Sequence, residues 1–104
     1  MNASKIGKAI YPPEIAEING IASRYSYSKY DDIALQVYEL GLKHYPNYFG
    51  FHLSTYDLLA NKNKKRAKEH LLKSEYLLKN IEDDWQGKNN ILNGIKKQKE
   101  KNGW

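Results

Sequence analysis

Ala34 and Ala67 stand 33 residues apart, and similar residues recur around each of them. Tyr38 and Gly41 follow Ala34 at steps of four and seven, and Leu71 and Ser74 follow Ala67 at the same steps. Small residues at a fixed offset mark places where helix backbones must approach closely. A two-helix unit repeating at such a period cannot bury its apolar face alone, so it stacks on its neighbour and builds a solenoid. Short connections force the helices into antiparallel contact and would also allow a closed bundle. The repeat favours stacking, because equivalent residues recur where packing must be equivalent.

The sequence around these positions predicts about five helices. Two prolines, Pro12 and Pro13, disfavour helix before them and suit the first turn of one after them. Glu14 and Glu17 then fall near a helix start, where negative charge is favourable, and Ile15, Ile18, Ala22 and Tyr25 form one helical stripe through Tyr27. Gly20 weakens this helix by about 1 kcal/mol relative to alanine and is expected where another helix comes close. Ser28 to Asp32 forms a turn with Asp31 as cap of the next helix. Ile33, Ala34, Val37, Tyr38 and Gly41 supply that helix's inner face, and Pro46 closes the unit. A third helix is expected over 48–60, with Phe51, Thr55, Leu58 and Leu59 inward. A fourth is expected over 64–79, with Ala67, Leu71, Leu72, Ser74 and Leu78 inward. Asp83 or Asp84 would cap a last helix carrying Trp85, Ile91 or Leu92, and Ile95. The organisation is thus an arm or linker over 1–12, two helix pairs over 13–82, and a capping helix and tail over 83–104.

Across 13–80 the sequence resembles the tetratricopeptide repeat family. Its pattern falls on Ile18, Ile21-Ala22, Tyr25, Ala34, Tyr38, Gly41 and Pro46 in the first unit. In the second it falls on Phe51, Ser54-Thr55, Leu58, Ala67, Leu71 and Ser74. The chain departs from the pattern in its Ser54-Thr55 pair, in Asn80 near the place of the exit proline, and in a period one residue short of the family's unit of about 34. The resemblance implies an all-α, tetratricopeptide-like right-handed superhelix of antiparallel helix pairs. Two units are fewer than the three usually needed, so self-association or an attached domain would supply the missing contacts. The run from Tyr38 to Asn47, followed by Tyr56 and Ala67, also resembles short repeat tails carried behind the hydrolase domain of some bacterial esterases. That resemblance would make Met1 to Tyr11 a linker and would place no catalysis in this chain.

The family's groove is lined by the first helix of each unit. Carried over, the implied interaction surface is Asn19, Ser23, Ser26, His52, Tyr56 and Leu59. Some family members clamp a carboxylate with lysine, asparagine and arginine, but these positions hold no Lys or Arg, so that clamp is not expected. The implied function is non-catalytic capture of a protein or peptide, accessory to a hydrolase domain or self-associating. A homodimer would form through the incomplete solenoid ends, with Trp85 and Ile95 buried in a second copy.

Composition supplies the rival reading. The net charge of +5 resides entirely in residues 52–104, where twelve Lys or Arg face seven acids. Its densest part is Lys62, Lys64, Lys65, Arg66 and Lys68, with Lys96, Lys97, Lys99 and Lys101 further on. Such a field would suit a basic nucleic-acid-binding helical domain. Against it, the tyrosines concentrate in the charge-balanced half, and no base-reading helix is recognisable. Catalysis has little to build on. There is no Cys, His44, His52 and His70 lack metal-binding spacing, Glu69-His70 reads as surface decoration, and no glycine-rich elbow or phosphate loop is present. No cofactor and no membrane insertion are expected, since no apolar run reaches about 18 residues. The expected location is cytoplasmic by default, or periplasmic or secreted if the chain is a piece of an exported hydrolase.

Overall fold

A computed structural model describes residues 12–82 and 85–104. Among these the protein is all-helical, with α1 Pro13–Tyr27, α2 Asp31–His44, α3 Phe49–Leu59, α4 Lys64–Lys79 and α5 Gln86–Asn102. The expected arm, apart from Pro12, and the expected caps Asp83 and Asp84 lie outside the described residues.

Local chemistry explains most of the helix ends. Pro12 caps α1 in an extended conformation and Pro13 occupies its first turn, where a missing N–H costs nothing. Asp31 is the first residue of α2 rather than its cap. Tyr30 holds the cap position without a side-chain bond, and Asp31 and Asp32 instead lend their charge to the helix start. Asn63 is a true cap for α4, its side-chain oxygen accepting from the Arg66 N–H at 3.2 Å. Two helices end in the same backbone motif. After α1, Lys29 at φ 67° donates to Ser26 O, and Tyr30 reaches back to Tyr25 O at 2.8 Å. After α5, Gly103 at φ 73° donates to Glu100 O, and Trp104 reaches back to Lys99 O at 2.7 Å.

Helices pack in chain order, α1 on α2, α2 on α3, α3 on α4 and α4 on α5. The 33-residue period reappears as burial. Ala22 and Thr55, Ala34 and Ala67, Tyr38 and Leu71, and Gly41 and Ser74 are all buried. Gly41 shows why its position must be small. A Cβ there would stand 2.8 Å from the Phe51 ring and 3.1 Å from Ile18 Cγ2, so α1, α2 and α3 meet at this point. At the equivalent place in the second unit, Ser74 Oγ donates to Phe49 O at 3.1 Å and ties α4 to α3.

Two apolar clusters result. Ile15, Ala22, Tyr38 and Phe51 form one, and Tyr56, Leu59, Ala67, Leu71, Leu78 and Ile95 form the other. α3 contributes to both and so joins them. Complete burial of a side chain such as Phe51 or Leu71 contributes about 1.5–3 kcal/mol. The stripes are narrower than the spacing predicts. Tyr25, Ile33 and Leu72 are exposed, because the buried lines run through Ile15 and Ala22, through Ala34, Tyr38 and Gly41, and through Ala67, Leu71, Ser74 and Leu78. Gly20 also departs from expectation, since no other element lies within 4 Å of where its Cβ would be.

Candidate functional site

The six expected groove residues do not share one open surface. α5 lies over the far end of α3, where Tyr56 is only 4% exposed and Leu59 is buried. The Tyr56 hydroxyl donates to Gln98 Oε1 at 2.8 Å, and its ring meets the edge of Trp104 with centroids 6.2 Å apart. Both residues therefore belong to the core, and the expectation of groove contacts from them is corrected. Sequence reasoning missed this because the covering helix lies some forty residues further along the chain. Asn19, Ser23 and Ser26 are half-buried along α1, with Asn19 hydrogen-bonded to Tyr48.

His52 is half-buried and turned into the protein. Its Nε2 contacts the Pro46 carbonyl oxygen at 2.8 Å and its Nδ1 contacts His70 Nδ1 at 3.0 Å. A carbonyl can only accept, so the neutral ring carries its proton on Nε2 and presents a lone pair at Nδ1. His70 must then donate through its own Nδ1–H. Burial lowers the pKa of His52, the bond to Pro46 opposes this, and the Lys73 charge adds to it. Burial lowers His70 as well, helped by the charges of His52 and Arg66 and opposed by those of Glu69 and Glu39. His70 is thus a partner of α3 rather than surface decoration. No sequence spacing links residues 18 apart on different helices. Among the described residues, no three His, Asp or Glu gather as a metal site, and no helix is long and apolar enough to cross a membrane.

The basic cluster is divided among separate contacts. Lys62 stands 3.9 and 3.8 Å from Asp31 and Asp32 at the start of α2. Arg66 pairs with Glu39 of α2 at 2.8 Å, and Lys64 donates to Asn102 of α5 at 3.2 Å. Lys65 and Lys68 are exposed. In the later basic stretch, Lys99 pairs with Glu75 at 3.0 Å, and Lys79 approaches the same carboxylate at 3.5 Å. Burial pushes the Glu75 pKa up, but the hydrogen bond from Lys99 and the charges of Lys99 and Lys79 outweigh it and hold the group below its ordinary value. Lys62, Lys64, Arg66 and Lys99 thus make contacts between elements, while Lys65 and Lys68 stay in solvent.

The self-association face expected at Trp85 and Ile95 is also used internally. Ile95 is buried in the second cluster and Trp85 packs against it, which corrects that expectation. Leu40 of α2 and Leu72 and Tyr76 of α4 are also exposed, but exposed apolar side chains crowd together at the opposite end of the chain of helices. Tyr27 is 87% exposed, Tyr30 58%, Ile21 42%, and Ile33 and Tyr25 are open beside them. Two shallow depressions share Ile21. One is lined by Glu14, Glu17, Ile18, His44 and Tyr45 in addition, and the other by Arg24, Tyr25, Ser28 and Tyr30. The sequence contained this signal as tyrosines crowded into residues 25–30, but read two of its members, Tyr25 and Ile33, as core. Compared with protein-family models, curated proteins and solved structures, the chain matches none.

Proposed function

We propose that the chain is a non-catalytic interaction module of the tetratricopeptide-like type, which binds a protein or peptide segment at its α1–α2 end. The observation that carries this reading is the set of exposed apolar and aromatic side chains around Ile21, Tyr25 and Tyr30. Tyrosine suits such a surface, since its ring supplies area at low entropy cost and its hydroxyl satisfies a polar partner. Arg24, Glu14 and Glu17 at the edges supply charges of both signs. The expected groove on α1 and α3 has less support, because Tyr56 and Leu59 are covered. The nucleic-acid reading has less support as well, because Lys62, Lys64 and Arg66 are engaged within the chain.

Peptides selected by display against the whole protein test the proposal. The double variant Tyr25→Ser, Tyr30→Ser should bind those peptides at least about tenfold more weakly, as expected for loss of aromatic anchors. Its far-UV circular dichroism should match the parent's, since both side chains are exposed. Peptides whose binding ignores this variant and depends on Ser23 and His52 would overturn the assignment of the surface.

A further inference from the structure

Gly20 is the residue of α1 that the fold of a single chain does not explain. It sits in mid-helix, where glycine is less favourable than alanine, yet nothing occupies the space its side chain would fill. Its surroundings on the helix surface are Glu17, Ile21 and Arg24. At 3.6 residues per turn, Glu17 and Arg24 fall on nearly the same line along the helix, about 10.5 Å apart, with Gly20 and Ile21 on either side of that line. Ile15 and Ala22, the buried residues of α1, lie on the opposite side.

The charges along this line are opposite and unspent. Glu17 and Arg24 are too far apart to pair within one helix, and neither has an ion-pair partner among the described residues. The Arg24 side chain lies back along the same face, its Nε donating to Gly20 O at 3.4 Å. A second α1 laid antiparallel on the first, about a two-fold axis between residues 20 and 21, sets Glu17 opposite Arg24 of the second copy and Arg24 opposite its Glu17. The same operation keeps each residue on its own side of the line, so the two Ile21 side chains meet on one side. On the other side the two Gly20 residues face each other, where the missing side chains let the backbones approach. One face thus supplies both halves of a self-complementary contact, as a two-fold interface requires.

We propose that the protein self-associates as a two-fold pair through an antiparallel α1–α1 contact centred between Gly20 and Ile21. The proposal rests on the reading of the α1–α2 end as an interaction surface, and it names a second copy of this chain as a partner. One helix against another is a small interface, so the association is weak and depends on concentration.

Sedimentation equilibrium of the whole chain, from micromolar to millimolar, provides the test. The parent should move from monomer toward dimer across that range. Glu17→Arg and Arg24→Glu each place like charges opposite one another twice, and each should weaken association by about tenfold. The double variant E17R/R24E reverses both members of each pair and should restore association to near the parent's. Gly20→Leu should also weaken association while leaving the thermal midpoint no lower than the parent's, because the space around Gly20 within the chain is open. A monomeric parent at millimolar concentration overturns the proposal. Single variants that associate like the parent, or a double variant as weak as the singles, overturn it too. A monomeric parent whose selected peptides still depend on Tyr25 and Tyr30 overturns the pairing alone. A monomeric parent with no such peptides overturns the interaction surface as well.

Discussion

At the scale of single residues, the His52–His70 contact has a consequence for stability. His70 charged at Nε2 could still donate to His52 through its Nδ1–H, but burial and the neighbouring charges oppose even that first proton. A second proton on His52 Nδ1 would set two donors face to face. Both pKa values are depressed from the ordinary 6.5, so the unfolded chain binds these protons first as pH falls. The associated stability is therefore fully present above 6.5 and is lost as pH drops through that value toward the depressed folded-state values. Urea midpoints measured between pH 7.5 and 5.5 should fall with pH. The fall should shrink in His70→Gln, whose amide can still donate to His52 but does not titrate. A midpoint that is flat with pH, or a slope unchanged by the substitution, would show that the pair does not couple to folding.

At the scale of elements, helix ends and helix faces differ in how they depend on the sequence. α1 and α5 finish in the same left-handed motif, but α5 has Gly103 at the strained position and α1 has Lys29. A residue with a Cβ pays about 1–2 kcal/mol for that conformation. Lys29→Gly should relieve this and, after the extra freedom gained by the unfolded chain, stabilise the protein by about 0.5–1 kcal/mol. In a domain of this size that is a rise of a few degrees in thermal midpoint. An unchanged or lower midpoint would mean that the Lys29 side chain contributes contacts worth as much as the strain. The helices themselves were legible because their signals are local. Pro13 starts α1, and Ala34, Gly41 and Ala67 recur where backbones meet. The open faces were less legible. Tyr25, Ile33 and Leu72 sit at helical spacing beside truly buried residues, and only the position of neighbouring helices decides which of them stay wet.

At the scale of the whole molecule, helix order follows chain order, and the two ends of the chain of helices differ. α5 closes one end, covering Tyr56, Leu59 and Leu78 with a helix whose outer side is polar and rich in lysine. The α1–α2 end keeps Tyr25, Tyr27, Tyr30 and Ile21 exposed. The 33-residue period announced the stacking, because a repeat states which contacts must be equivalent. It did not reveal this asymmetry, since the covering of α3 depends on Ile95 and Trp104, which lie outside the repeat. Nor did it separate basic residues that pair, such as Arg66 with Glu39, from those left in solvent, since the partners come from other helices. The central claim, that α5 closes the end of α3 and leaves the α1–α2 end open, can be read from the tyrosines. Hydroxyl-radical labelling of dilute native protein, followed by mass spectrometry, reports the access of each one. Tyr27 and Tyr30 should be modified rapidly, while Tyr38 and Tyr56 should react only after unfolding. Labelling of Tyr56 in the native state as fast as that of Tyr30 would contradict the account.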